Sequence, residues 1–347
     1  MRWSYNLERS QSTALWLYAV AALVLAMVLI GGATRVTGSG LSIVEWRPVT
    51  GAIPPLTEAG WQAEFVKYQQ IPQYKLVNQG MTLAAFKGIY FWEWTHRLLG
   101  RLVGLVFAVP FAVLLLRKRI PKRLIWRCWV IFGLGGLQGL VGWWMVASGL
   151  ADRVSVAPER LATHLGLAFL IFIACIWTGL EAWFGRPRGA SDPVPRWRLA
   201  SGVLLGLVFL QSLLGALVAG SKAGMVNTDW PLMNGTFFPR DYWIPGEGLL
   251  QTFLHNHAAV QFNHRMTAYL ILLLVLAFAV RAAVSNRLVA PVKQLANVMA
   301  LAVLAQACLG IVTLMAASPM GLSLIHQIGA VVVLTVATTL TWRTARN

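Results

Sequence analysis

Charge is missing from this sequence in blocks. Residues 10–34, 128–151, 161–180 and 199–221 contain no Asp, Glu, Lys or Arg, giving runs of 25, 24, 20 and 23 residues. About 20 apolar residues let an α-helix cross the hydrocarbon core of a bilayer. Two shorter runs, 102–116 and 266–280, have 15 residues each and follow His96-Arg97 and His264-Arg265; counted from the histidines they reach 21 and 17. The run 294–342 has 49 residues, enough for two spans, and Ser318-Pro319-Met320-Gly321 supplies the turn that breaks it. The pattern predicts an all-α integral membrane protein with eight transmembrane helices. With 12% charged residues and a mean hydropathy of +0.64, no water-exposed surface can be assembled from this chain.

The basic residues orient the spans. With the N-terminus inside, Arg2, Arg9, Arg117, Lys118, Arg119, Lys122, Arg123, Arg127, Arg186, Arg188, Arg196, Arg198, Arg281, Arg287, Lys293, Arg343 and Arg346 share one side with Glu8, Glu181 and Asp192. That side carries +14 and the other +3. The positive-inside rule therefore puts both termini in the cytoplasm. No small-residue cleavage site or long Arg/Ser-rich presequence opens the chain, and a bacterial inner membrane is the expected location. The net charge of +17 is explained by these flanking clusters, which excludes nucleic acid as the expected partner. Cys128, Cys175 and Cys308 fall in apolar stretches and read as small buried hydrophobes rather than a disulfide framework.

The two halves resemble each other in order. Trp46 to Gly51 pairs with Trp230 to Gly235, Glu93-Trp-Thr-His96-Arg97 with Gln261-Phe-Asn-His264-Arg265, and Gln138 with Gly142 pairs with Gln306 and Gly310; the last two pairings share an offset of 168. Four spans per half predict two four-helix bundles related by a pseudo-twofold axis along the membrane normal, over residues 1–185 and 186–347. His96, His164, His264 and His326 fall in the second, fourth, sixth and eighth spans, within the first two turns or so and therefore at one depth near the outer face. A single such histidine is most often a satisfied polar residue. Four at equivalent places describe two apolar grooves, each with an axial imidazole on either side of a flat metal complex, as in a bis-histidine haem site. Zinc would need three or four ligands converging in one bundle, and two are present per half. His255 and His257 lie in an outer loop and read as solvated surface residues.

The halves differ three residues before their first histidine, where Glu93 stands against Gln261. Residues i and i+3 share a helix face, so Glu93 is expected to point toward the His96 pocket. Two roles are open: an ion pair with Arg97, or a proton acceptor or cation stabiliser beside a reacting haem substituent. The second assigns chemistry to the first half and electron storage to the other. Arg97, Arg101 and Arg265 are placed either to reach haem propionates or to anchor the spans at the interface. The outer loop 35–91 carries Trp61, Phe65 and Tyr68 at helical spacing and reads as interfacial helices capping the N-terminal pocket. Tyr90, Phe91, Trp92 and Trp94 read as an interfacial aromatic belt.

Gly38-Ser-Gly-Leu-Ser-Ile-Val-Glu-Trp-Arg-Pro-Val-Thr-Gly-Ala-Ile-Pro-Pro55, Glu93-Trp-Thr-His-Arg-Leu-Leu-Gly-Arg101, Thr163-His164-Leu165, Asn263-His264-Arg265 and His326-Gln327 together resemble the haem A synthase family over nearly the whole chain. The resemblance implies eight spans in two bundles, and oxidation of a methyl group of haem O, through an alcohol and a gem-diol, to the formyl group of haem A for cytochrome oxidase. It further implies that His264 and His326 ligate a haem b cofactor, that His96 and His164 flank the substrate haem, and that Glu93 is catalytic. Haem O, haem O synthase, an electron partner and a homo-oligomer are the partners it suggests besides lipid. Many bacterial members have a cysteine pair in the first outer loop; this chain has none there and is similar to the subgroup shared with mitochondrial enzymes. Two rival readings are a diheme b-type electron-transfer subunit, which predicts symmetric pockets, and a parallel-repeat transporter, which needs polar residues at the midplane.

Overall fold

A computed structural model describes residues 9–185 and 195–345. Arg2, Glu8, Arg186, Arg188, Asp192 and Arg346 of the orienting charge set lie outside the described residues, as does the start of the second half at 186. The described helices are α1 (Gln11–Val36), α2 (Glu58–Tyr68), α3 (Pro72–Leu76), α4 (Leu83–Leu116), α5 (Lys122–Leu150), α6 (Pro158–Phe184), α7 (Pro195–Ser221), α8 (Leu249–His255), α9 (His257–Val284), α10 (Ala290–Met315) and α11 (Met320–Thr344). Among the described residues, eight of these are long and apolar enough to cross a membrane: α1, α4, α5, α6, α7, α9, α10 and α11. Only helices, and closed barrels, satisfy every backbone polar group without water.

Local chemistry sets the helix starts. The hydroxyls of Ser10, Thr57 and Thr82 accept the N–H groups of Thr13, Gly60 and Ala85, and the Asn256 side chain accepts that of Ala259. Proline opens α3, α6 and α10, where its missing N–H costs nothing. The run 294–342 breaks at Ala317 and Ser318, both at φ 56°, so Met320 and Gly321 belong to α11 and only Ser318 and Pro319 to the expected turn.

The second span departs from expectation. Its helix begins at Leu83, not near His96, so the first outer loop ends at residue 82 and Tyr90, Phe91, Trp92 and Trp94 are helical. The reason lies in packing: Phe86 sits 5.0 Å from Phe65 and 5.3 Å from Tyr68 between ring centroids, and Tyr90 5.0 Å from Trp61. The cap helices α2 and α3 thus give the extended first turns of α4 an apolar surface to bury. Phe65, Tyr68, Phe86 and Tyr90 are all buried.

α1 packs against α4, α6 and α11; α5 lies on α6 and only lightly on α4. On the other side α7, α9, α10 and α11 close a ring of mutual contacts, and α6 joins the two sets through α7 and α11. Arg123 and Arg127, in the first turns of α5, both reach the buried Glu181 of α6, Arg123 Nε at 3.1 Å from Oε1.

Candidate functional site

Each of α4, α6, α9 and α11 carries one half-buried histidine. In all four cases the imidazole edge rests on a glycine of the preceding span. A Cβ built on Gly31 of α1 would stand 2.9 Å from His96 Cε1, one on Gly142 of α5 2.9 Å from His164 Cε1, one on Gly215 of α7 3.2 Å from His264 Cε1, and one on Gly310 of α10 2.9 Å from His326 Cε1. At three of the four positions any side chain would displace the ring. Small residues at such crossings let membrane helices approach closely.

A glutamine stands one turn before three of these glycines. Gln138 Nε2 donates to the His164 carbonyl at 2.9 Å and lies 3.2 Å from its Nδ1. Gln211 Nε2 does the same to His264, at 3.0 and 3.1 Å, and Gln306 Nε2 donates to the His326 carbonyl at 2.8 Å. The first span has Met27 in that place. Gln138 and Gln306 were visible in the internal repeat; Gln211 and the glycines Gly31 and Gly215 were missed, although Gln-x-x-x-Gly occurs in three spans and was itself a readable signal.

His96 and His164 lie within electrostatic reach of each other, as do His264 and His326. Nδ1 of His96 and of His326 is buried without a hydrogen-bond partner. Among the described residues no group of three or more His, Cys, Asp or Glu side chains gathers. Each pair thus has one imidazole with an unpaired ring nitrogen and one lying against a glutamine amide; two imidazoles between apolar helices suit axial ligation of a porphyrin iron and fall short of a zinc ligand set. His255 Nε2 lies 3.6 Å from Glu159 Oε2, and His257 is exposed at the start of α9.

Glu93 is buried and its carboxylate is saturated. Oε2 accepts from Ser42 Oγ and from Ile43 N–H, both at 2.8 Å, and Oε1 from Arg97 Nε at 3.1 Å and Nη2 at 2.6 Å. Arg97 also donates to the carbonyls of Ile43 and Glu45. The other half repeats the device without the charge. Gln261 Nε2 donates to Ala223 and Asn227 carbonyls, both at 3.0 Å, and Arg265 Nη2 donates to Gln261 Oε1 at 3.2 Å. Both residues therefore fasten the loop that follows the preceding span to the helix that bears the histidine.

The three arginines find backbone partners in the loops: Arg97 as above, Arg101 at the carbonyls of Arg47 and Pro48, Arg265 at those of Asn227 and Leu232. Arg101 Nη1 and Arg265 Nε are buried without a partner. A cavity of about 380 Å³ lies between the first loop, α2 and α4, lined in part by Glu45, Glu64, Lys67, Tyr90, Arg97 and Arg101. Lys67, 3.0 Å from Glu45, holds that carboxyl below the ordinary range.

Residues 14–338 match the COX15-CtaA family, described as cytochrome oxidase assembly protein. The haem A synthase of Caulobacter vibrioides is 57% identical over 340 residues, covering 98% of both chains. That of Parvibaculum lavamentivorans is 50% identical over 326 residues, 93% of this chain and 92% of its own, and that of Maricaulis maris 47% over 345 residues, 99% and 98%.

Proposed function

The chain belongs to the COX15-CtaA family of cytochrome oxidase assembly proteins, and on that premise we propose that its two histidine pairs divide the work of a haem A synthase between a substrate site and a cofactor site. It is a membrane oxidoreductase of haem A biosynthesis. His96 and His164 flank the substrate, haem O, and His264 and His326 hold a haem b cofactor, with 1–185 and 186–347 as the two bundles. The observation that carries this reading is the fourfold repeat of one histidine seated on one glycine of the preceding span.

A bound haem b supplies a one-electron store beside the substrate site. The protein's own residues do the rest. The glycine seats fix the ring planes, and Gln138, Gln211 and Gln306 bind the backbone of the ligating turn, which orients the ligands. The substrate methyl is oxidised twice, each step passing two electrons on to the electron partner and adding one oxygen, to an alcohol and then to a gem-diol that loses water. Glu93 is the charge that distinguishes the substrate site. A carboxylate accepts about four hydrogen bonds, and Glu93 already has four. That favours a fixed negative charge stabilising a cationic carbon over a base that takes a proton from water. Arg101 Nη1 and Arg265 Nε remain to meet propionates. The sites face the periplasm of a bacterial inner membrane with both termini inside, by the basic-residue asymmetry. Haem O synthase as donor of the substrate, an electron partner and self-association complete the reading.

The test is acid extraction of the purified protein's haems followed by chromatography. Haem b together with haem O, an alcohol or haem A is expected. Haem b alone, unchanged by Glu93→Gln, favours the electron-transfer reading. His264→Ala or His326→Ala should remove haem b; full haem b in both variants refutes the assignment.

A further inference from the structure

The two halves share a helical register, and burial along it differs where α4 meets α5. In α5, Leu124, Cys128 and Ile131 form a buried stripe, and their counterparts 168 residues on, Val292, Ala296 and Met299 of α10, are buried as well. The next member of the stripe is Gly135 in α5 and Val303 in α10. Val303 is buried, whereas Gly135 is exposed, and a Cβ on it would meet nothing within 4 Å. The facing helix shows the same break. Gly104 lies three residues before Phe107 and seven before Phe111, both buried, and so shares their inward face. It too is exposed with open space at its Cβ, and its counterpart in α9 is Leu272, half-buried.

The consequence is a seam. α4 and α5 touch far less than α9 and α10 do. Of their most apolar windows only 11% and 6% of residues are buried, against 28% and 22% for α9 and α10. Exposure to lipid alone does not explain this, because the exposed glycines continue the buried, inward stripes. The groove is continuous with the histidine level: Gly135 precedes the Gly142 seat by seven residues and Gly104 follows His96 by eight, on helices that run in opposite directions, so it runs roughly 10 Å along the helix axes from the imidazoles.

We propose that the α4–α5 groove holds the isoprenoid chain of the substrate haem and opens it to the bilayer. The proposal rests on the reading that the substrate lies between His96 and His164. Haem O and haem A carry a long isoprenoid-derived chain where haem b has a vinyl group. A site for the former needs an apolar channel beside the porphyrin, and a site for the latter does not. The half with Gly104 and Gly135 has that channel; the half with Leu272 and Val303 has it filled.

The experiment transplants the filling. Gly104→Leu and Gly135→Val, singly and together, are made in the full chain in detergent and titrated with haem O and with protohaem, following the Soret band. Excluding two methylenes from the groove is enough for about a tenfold loss of affinity. We expect haem O binding to fall at least that far, protohaem binding at the same site to change less than twofold, and haem b content to stay at the wild-type level, which reports an intact fold. Should the double variant lose haem b, Gly100→Ala and Gly139→Ala, the smaller residues of Ala268 and Ala307, give the same comparison more gently. Equal losses for both porphyrins, or none, overturn the groove, leaving a lipid acyl chain as its occupant. His96→Ala separates the two claims: if it leaves haem O binding unchanged the site reading fails, and if it abolishes binding while the glycine variants do not, only the groove falls.

Discussion

Gln211 Nε2 lies 3.0 Å from the carbonyl oxygen of His264 and 3.1 Å from its Nδ1, the same pair of contacts that Gln138 makes with His164. One amide thus holds both the backbone and the ring of a histidine on a neighbouring span. Interhelical hydrogen bonds of this kind contribute on average about 0.6 kcal/mol in a membrane protein, too little to decide folding. Their effect is on the angle at which an imidazole is presented.

Gln211→Leu is therefore expected to leave the fold intact and loosen haem b by about tenfold, the lower end of what loss of a partner behind a metal ligand costs. Gln138→Leu should leave haem b untouched and weaken retention of the substrate haem. The optical spectrum and extracted haem composition check both; identical haem profiles in the two variants would show that the amides do not serve separate sites.

The glycine seats give a graded expectation. A Cβ at Gly310 would stand 2.9 Å from His326, inside any real Cβ contact, while one at Gly215 would stand 3.2 Å from His264. Gly310→Ala should lower haem b content well below that of Gly215→Ala, because the ring at 310 has to shift and the ring at 215 needs only a few tenths of an ångström. Gly31→Ala and Gly142→Ala should leave haem b at wild-type content. Pyridine haemochrome assay of the four purified variants measures this order directly, and a reversed order would mean the rings are not seated as described.

The spans and the histidines were legible because both depend on local properties: the length of a charge-free run and the presence of one imidazole in it. The start of α4 was not, since Leu83 to Phe91 becomes helical through Phe65 and Tyr68, which belong to a helix folded back over it. Arg97, Arg101 and Arg265 carry no mark in the sequence of which loop carbonyls they meet. Gln211 carries no such mark, because the offset of 168 does not apply to it. Its glycine, Gly215, aligns with Gly31 at the offset of 184 that also relates Trp46 to Trp230, so the connection between the first two spans of each half is 16 residues shorter in the second. That Val303 is buried where Gly135 is exposed is a property of the packing, which the repeat by itself does not encode.

The second outer loop offers a pH test away from the spans. Asp229 accepts the N–H groups of Asn234 at 3.0 Å and Gly235 at 3.2 Å, bonds that hold its carboxyl below the ordinary range. Asn234 and Gly235 have φ of 49° and 76°, a left-handed turn that suits these two residues. A folded carboxyl with a lowered pKa contributes its stabilisation fully above the unfolded value, near 4, and loses it as pH falls through the folded value. Hydrogen exchange at Asn234 and Gly235 should thus lose protection below about pH 4 after correction for intrinsic rates, and Asp229→Asn should flatten that dependence. Equal pH profiles in the two proteins would remove Asp229 from the turn.

Glu93 separates positioning from chemistry. Its four hydrogen bonds tie Ser42, Ile43 and Arg97 together, so Glu93→Ala strands a largely buried guanidinium and is expected to destabilise the protein by about 3–5 kcal/mol. Glu93→Gln keeps the shape and reproduces the residue at 261, but its amide N–H faces the Ile43 N–H; loss of that hydrogen bond costs about 1–3 kcal/mol. If Glu93 were only a loop clamp, the formyl product formed per enzyme by Glu93→Gln would track its thermal stability. If its negative charge stabilises a cationic carbon, Glu93→Gln should keep haem b and bind haem O yet make product at least about a hundredfold more slowly. Because every lone pair on the carboxylate is already engaged, the residual rate should keep the wild-type pH profile, as expected for a fixed charge and not for a lost base. Extracted haem A against haem O over time, at several pH values, gives both readouts in one experiment.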